Sequence, residues 1–196
     1  MQFFIAPEQK KFFATNLFIE FEELFTPKEL DVFRPYQKGR DLVRENKEIK
    51  KVLWSSKFYK MALMLLGKKA LRYGFDEVLF LSKHTKSGES VEERSSIDPL
   101  ALNLLVCLEG ERERREINDH FAFPTKPGDG VFFYPTLEWS SALSELEQSQ
   151  KFLLLSWAEP KARYKMNEKD RDTYYLKTLG YQFGETLRDI CHPLFQ

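Results

Sequence analysis

The sequence predicts an α+β fold in which helices come first, a β core follows and a helical tail ends the chain. Two observations carry this. Apolar spacing is helical up to about residue 70 and changes near Phe75 to short β segments broken by Gly, Pro and polar loops. Strands in such close succession indicate a sandwich or small barrel, with the helices packed on one sheet. A chain of 196 residues suits one domain. Within it we expect a helix-rich N-terminal layer (1–70), a β core (75–160) and a C-terminal helical tail (161–196).

The elements follow in order. Pro7 suits a first helical turn, with Phe12 and Phe13 after it. "LFIEFEELF" alternates, with Leu17, Ile19 and Phe21 on one face and Phe18, Glu20 and Glu22 on the other, which is strand periodicity. "FTPKELDVF" opens a helix: Thr26 caps, Pro27 fits the first position and Glu29 closes a capping box. Residues 37–52 are highly charged and read as a solvated loop or exposed helix. Phe58, Met61, Ala62, Leu65 and Leu66 have helical spacing, and Gly67 is the stop.

Five β segments follow: "DEVLFLSKH", "LALNLLVCLEG", "DHFAFPTK", "GVFFYP" and "KFLLLSWA". The second is nearly continuous in apolar residues, so it should be buried on both faces. After Pro160 the chain turns charged and then helical over "NEKDRDTYYLKTLGYQFGETLRDI".

Composition narrows the function. Aromatics make up 15% of the chain, which argues for a packed core. Thirty basic and thirty acidic residues cancel, so the strongly basic field suited to nucleic acid or anionic membrane is missing. In "EGERERREIND", Arg112, Arg114 and Arg115 are offset by Glu111, Glu113 and Glu116, and the run reads as a solvated hairpin or strand edge. Cys107 and Cys191 lie far apart, forming neither a disulfide framework nor a zinc cluster; Cys107 reads as a small core residue. No stretch approaches the ~20 apolar residues of a membrane span, so the expectation is a soluble cytoplasmic protein. Phosphate loops, dinucleotide fingerprints and nucleophile elbows are all missing.

The order of segments resembles the iron(II)/2-oxoglutarate-dependent oxygenase superfamily, especially its phytanoyl-CoA and prolyl hydroxylase-like branches. The resemblance covers residues 8–160. "EQKKFFATNLFIEFEELFTPKELDVF" is similar to the opening helix, strand and helix, and "KPGDGVFFYP" to the turn and strand that lead to a metal-binding His. "ALNLLVCLEG" resembles the core strand, with Cys107-Leu108-Glu109 at its corner, and "KFLLLSWA" resembles the final strand. The resemblance implies a double-stranded β-helix, a jelly roll holding iron between two sheets through two His and a carboxylate.

The implied metal site is incomplete in this sequence. The first ligand pair falls on His84, but Lys86 stands where its carboxylate should be; a second register puts the pair near Glu93 and Ser95. The distal His falls on Trp139 or Ser140, and the aromatic Trp139 could fill the former iron pocket. Where the family binds the co-substrate carboxylate with Arg, this chain has Gln150 and Lys151, and Lys lacks the bidentate fork. The site candidates are therefore His84 for metal and Lys151 for co-substrate. His120, next to Asp119, is a weaker ligand because adjacent strand residues point to opposite faces. His192, before Pro193, reads as a surface residue.

The sequence thus favours an oxygenase-like shell without the usual iron and 2-oxoglutarate chemistry, a non-catalytic binding or regulatory module with an unknown protein or small-molecule partner. One alternative is an active hydroxylase with displaced ligands, His84 or His120 with Glu92, Glu93 or Asp98. Another is a metal-linked regulator of nucleic acid or a protein partner.

Overall fold

The computed structural model describes residues 4–82, 90–110, 121–138, 142, 143, 146 and 149–196. His84, His120, Trp139 and Ser140, with the run 111–120, lie outside them. The N-terminal part comprises α1 (Pro7–Asn16), β1 (Phe18–Phe21), α2 (Pro27–Asp31), β2 (Gly39–Arg40), α3 (Leu42–Glu45), α4 (Lys47–Leu53) and α5 (Ser56–Leu66). The β core contains β3 (Leu71–Leu81), β4 (Ile97–Glu109), β5 (Gly130–Phe133) and β6 (Gln150–Tyr164). A short α6 (Tyr175–Thr178) and β7 (Leu194–Phe195) complete it. The strands form one antiparallel sheet in the order β1-β5-β4-β6-β3-β2, with β7 also on β3. Its path ends on β1 and β2, so the sheet is open.

The local signals act as the sequence implies. Glu29 N donates to Thr26 Oγ1 at 3.3 Å while Thr26 N donates to Glu29 Oε2 at 2.7 Å, a reciprocal box that satisfies two otherwise orphaned donors. Gly67 ends α5 at φ 62°, a left-handed conformation glycine adopts without penalty. In β4, Leu104, Leu105, Val106 and Cys107 are all wholly buried, as a strand covered on both faces requires.

Alternation sorts the sheet into two faces. Leu102, Leu104, Val106, Phe132, Leu153, Leu155 and Trp157 pack on the helix side with Phe13, Phe58 and Met61, and with Phe25 from the turn before α2. Phe75, Leu105, Cys107, Val131, Phe133, Phe152 and Leu154 pack on the other side against Val91, Phe121, Phe123 and Leu143. We call this second side the interior face. A bulge between Tyr73 and Phe75 sends those two residues to opposite faces. Gly74 permits it, because a Cβ there would sit 2.8 Å from Ser156 O.

Several expectations change. The charged stretch 37–52 is not simply solvated: it holds β2, α3 and α4 and places Leu42, Val43, Ile49 and Leu53 in the core. Its sparse apolar positions all fall on the side that meets the sheet. Residues 121–125 of the expected third strand form no strand, although Phe121 and Phe123 are buried on the interior face. Helix in the tail is confined to α6; turns and irregular segments make up the remainder, and β7 joins the sheet. No helix among the described residues is long and apolar enough to cross a membrane.

Candidate functional site

The interior face is where a jelly roll holds a ligand, so its polar side chains define what the site can do. At its centre Asn103 of β4 stands opposite Ser156 of β6 and Phe133 of β5. Ser156 Oγ donates to Asn103 Oδ1 at 2.7 Å, and Asn103 Nδ2 is buried without a hydrogen-bond partner. At the start of β6, Gln150 is also buried, with Oε1 unpartnered. Around them are Phe75, Leu105, Phe133, Phe152 and Leu154. These neutral amides and a hydroxyl can give and accept hydrogen bonds, but they are poor substitutes for the imidazoles and carboxylate that hold iron.

Charge gathers beside β3. Arg40 lies over the Phe75 ring at 4.1 Å, and its Nη1 reaches Asp170 Oδ1 at 2.8 Å and Asp172 Oδ2 at 3.6 Å. Asp170 Oδ2 also accepts from Ser96 N at 2.8 Å. Burial raises the pKa of Glu77, and Arg40 and Arg94 oppose that rise. Asp170 is thus committed to holding the segment after β6 against β2 and the start of β4.

The acidic candidates for a displaced ligand set are dispersed. Glu93 is exposed, and its Oε2 accepts from Ser90 N at 3.1 Å in a local turn. Asp98 pairs with Lys165 at 3.2 Å. Glu92 N donates to Pro135 O at 3.1 Å, which ties this turn to the loop after β5. Ser95, from the second register, bonds the backbone of Ile97 through its hydroxyl. Among the described residues no three His, Cys, Asp or Glu side chains come together as a metal-binding group.

Lys151 lies on the helix side of the sheet, in step with Leu153 and Leu155 and out of step with Phe152 and Leu154. Its Nζ meets Glu109 Oε1 at 2.8 Å, Arg34 O at 3.3 Å and Phe33 O at 3.4 Å. Glu109 thus acts as counter-ion to Lys151. Lys151→Met keeps the volume and leaves the half-exposed Glu109 solvated, so it should cost only about 1–2 kcal/mol, through the stranded Phe33 and Arg34 carbonyls. Lys151→Ala should cost about 2 kcal/mol or more through the void and the stranded carbonyls. Urea denaturation of both variants checks this.

A second polar cluster lies between the helices, β3 and the end of the chain. Tyr73 hydroxyl is 2.6 Å from Asp76 Oδ1 and 3.0 Å from Asp41 Oδ1. Asp76 also accepts from Leu42 N at 2.9 Å and Val43 N at 3.2 Å, the free donors at the start of α3. Burial pushes Asp76 up to about 6, and raises Asp41 and Tyr73 as well.

Arg44 continues the chain of contacts, with Nε 3.5 Å from Asp41 Oδ2 and Nη2 3.2 Å from His192 Nε2. Arginine cannot accept a hydrogen bond, so Nε2 is the acceptor and Nδ1 carries the proton, facing Tyr181 hydroxyl at 2.9 Å. Burial, then Arg44, Arg72 and Arg188, lower His192 to about 3.

His192 is therefore fully buried, not the surface residue the sequence suggested. Pairing of Leu194 and Phe195 with β3 draws it in. The apolar "PLF" after a charged tail was the available signal. Nothing local marks Asp41, Tyr73 or Asp76 as members of one cluster.

No protein-family model matches the chain, and no curated protein matches it in sequence. Solved structures do match in fold. The non-heme alpha-ketoglutarate-dependent carbocyclase SnoK from nogalamycin biosynthesis aligns with a TM-score of 0.74 at 13% identity, over 98% of this chain and 97% of that one. The epimerase SnoN from the same biosynthesis gives 0.70 at 12% identity, over 94% and 96%. EctD from S. alaskensis gives 0.60 at 12% identity, over 85% and 81%. The chain therefore has the jelly-roll fold of the iron/2-oxoglutarate-dependent oxygenases. Among the described residues of its interior face, amides and a hydroxyl lie among aromatic side chains, and Glu77 shares that face beside Arg40 and Arg94.

Proposed function

We propose that the protein is an oxygenase-fold binding or regulatory module that does not carry out iron and 2-oxoglutarate chemistry. The observation that carries this reading is the make-up of the interior face. Asn103, Ser156 and Gln150 sit among Phe75, Phe133 and Phe152, and Lys151 is neutralised by Glu109 on the opposite face. A jelly roll folds without metal, since its core is apolar on both sides of the sheet, so loss of the ligands costs the scaffold little. The partner would be a protein or a small molecule received by this scaffold.

A second reading has its own support. SnoK, an alpha-ketoglutarate-dependent carbocyclase, aligns over nearly the whole of both chains. Under it, His84 or His120 with Glu92, Glu93 or Asp98 would form a displaced ligand set in an active hydroxylase. Anaerobic iron(II) titration by calorimetry, with and without 2-oxoglutarate, separates the two. We expect no stoichiometric heat from chelator-treated protein shown to be folded. Stoichiometric binding strengthened by 2-oxoglutarate overturns the first reading in favour of the second.

A further inference from the structure

We propose that the segment Arg188–Gln196 is a strap, pinned across the edge of β3 by the neutral imidazole of His192, and that mild acid releases it. Three sets of contacts hold the strap. Its backbone adds a strand to β3, pairing Leu71 with Phe195 and Arg72 with Leu194, and Tyr73 N donates to Pro193 O at 3.0 Å. Two arginines grip its carbonyls: Arg44 Nη1 donates to Cys191 O at 2.7 Å, and Arg72 Nη1 to His192 O at 2.6 Å. At its end Phe195 stacks on Tyr59 with ring centroids 4.8 Å apart and meets Trp54 edge-on at 6.3 Å.

His192 is the titrating element of this assembly. Facing it are Arg44 from α3, Arg72 and Tyr73 from β3, and Tyr181, Arg188 and Cys191 from its own part of the chain. Asp41 and Asp76 lie behind Arg44 and Tyr73, and Asp189 is spent on Arg72 at 2.5 Å and largely exposed. A second proton on the imidazole would enter at Nε2, against the Arg44 N–H that it now accepts, in a setting of three guanidinium groups. The closed strap therefore excludes that proton, whereas a released strap takes it up near the ordinary histidine pKa.

The direction of the pH dependence follows. A histidine whose pKa is depressed when closed favours the open form as pH falls below the open-form value. The carboxyls of Asp41 and Asp76 stay between α3 and β3 when the strap lifts, so their titration does not cancel this. Between pH 7 and pH 5 the opening equilibrium should rise roughly 25-fold, taking an open-form pKa of about 6.5. Opening frees the β3 edge at Leu71–Tyr73 and uncovers the Trp54 and Tyr59 rings, leaving a strand edge able to accept another extended segment.

Amide hydrogen exchange on the intact protein tests this, with rates corrected for the intrinsic effect of pH. The Tyr73 amide, bonded to Pro193 O, reports the strap, and the Leu104 amide at the centre of the sheet reports global opening. We expect Tyr73 opening to rise roughly 25-fold from pH 7 to pH 5 while Leu104 changes little, and His192→Gln to abolish the rise. A flat Tyr73 response, a parallel change at Leu104 or an unchanged response in His192→Gln overturns the proposal. Wild-type protein supplies an independent check by NMR: in molecules whose strap is closed, His192 should stay neutral at pH 5, with protonated imidazole appearing only in the open form, and titration near pH 6.5 with the strap closed overturns it. None of these readings depends on whether iron binds.

Discussion

Asp76→Ala is expected to lose about 3–5 kcal/mol of stability, enough to remove a large share of a typical domain's margin. Its carboxylate takes hydrogen bonds from Leu42 N, Val43 N and Tyr73 hydroxyl, so truncation strands two buried backbone donors and leaves the Tyr73 hydroxyl with Asp41 alone. The start of α3 then has no cap, because Asp41 makes no side-chain cap there and adopts φ 55° itself. With α3 loosened, Leu42 and Val43 lose their position against the sheet.

The pH dependence of the same residue has a definite sign. Burial holds Asp76 at about 6 when folded, above an ordinary carboxyl near 4. The folded protein therefore binds this proton more tightly than the unfolded chain. The associated stability is present below about pH 4 and is lost as pH rises through about 6, amounting to about 3 kcal/mol over the full range. Asp76→Asn, neutral throughout, should remove this slope while leaving the opposite slope of His192 in place. Urea denaturation of wild type and Asp76→Asn at pH 4, 5.5 and 7 gives the difference. A constant gap between them across that range would refute the assignment.

Gly128→Ala should cost about 3 kcal/mol or more, roughly 6–12 °C in melting temperature for a chain of this size. Gly128 has φ 95°, and an added Cβ would lie 2.7 Å from Phe25 O. That contact is with backbone, so no side chain can turn aside. The glycine also donates to Cys107 O and accepts from Phe25 N, both at 2.9 Å, joining β4 to the approach of α2. Gly184, at φ 90° with open space around its Cα, provides the control: Gly184→Ala meets the backbone penalty alone, about 1 kcal/mol. Thermal denaturation of the two variants separates clash from conformational strain. Equal losses would mean that the Phe25 contact relaxes at little cost.

The elements legible in advance are those whose cause lies within a few residues. Thr26, Pro27 and Glu29 announce α2 because a capping box is built from neighbours. Gly67 ends α5 because glycine alone enters the left-handed region freely. The run from Leu100 to Leu108 announces a strand covered on both sides. The order of such segments was enough to identify the jelly-roll fold. The same resemblance carried the expectation that Lys86, Trp139 and Ser140 stand where an iron site needs other residues, and those positions lie outside the described residues.

Which way a polar side chain turns, and what it meets, was decided by pairing between distant segments. Lys151 faces the helices because the register of β6 places it in step with Leu153, and Glu109 reaches it from a strand 42 residues earlier. His192 is buried because β7 docks on β3, and its partner Arg44 lies 148 residues away. The charged stretch 37–52 enters the core because its few apolar residues find the sheet while its charges stay outside. Periodicity and capping energies act along the chain and can be read from it. The cost of burying a charge or an imidazole depends on neighbours across the fold, so it was set only when the strands came together.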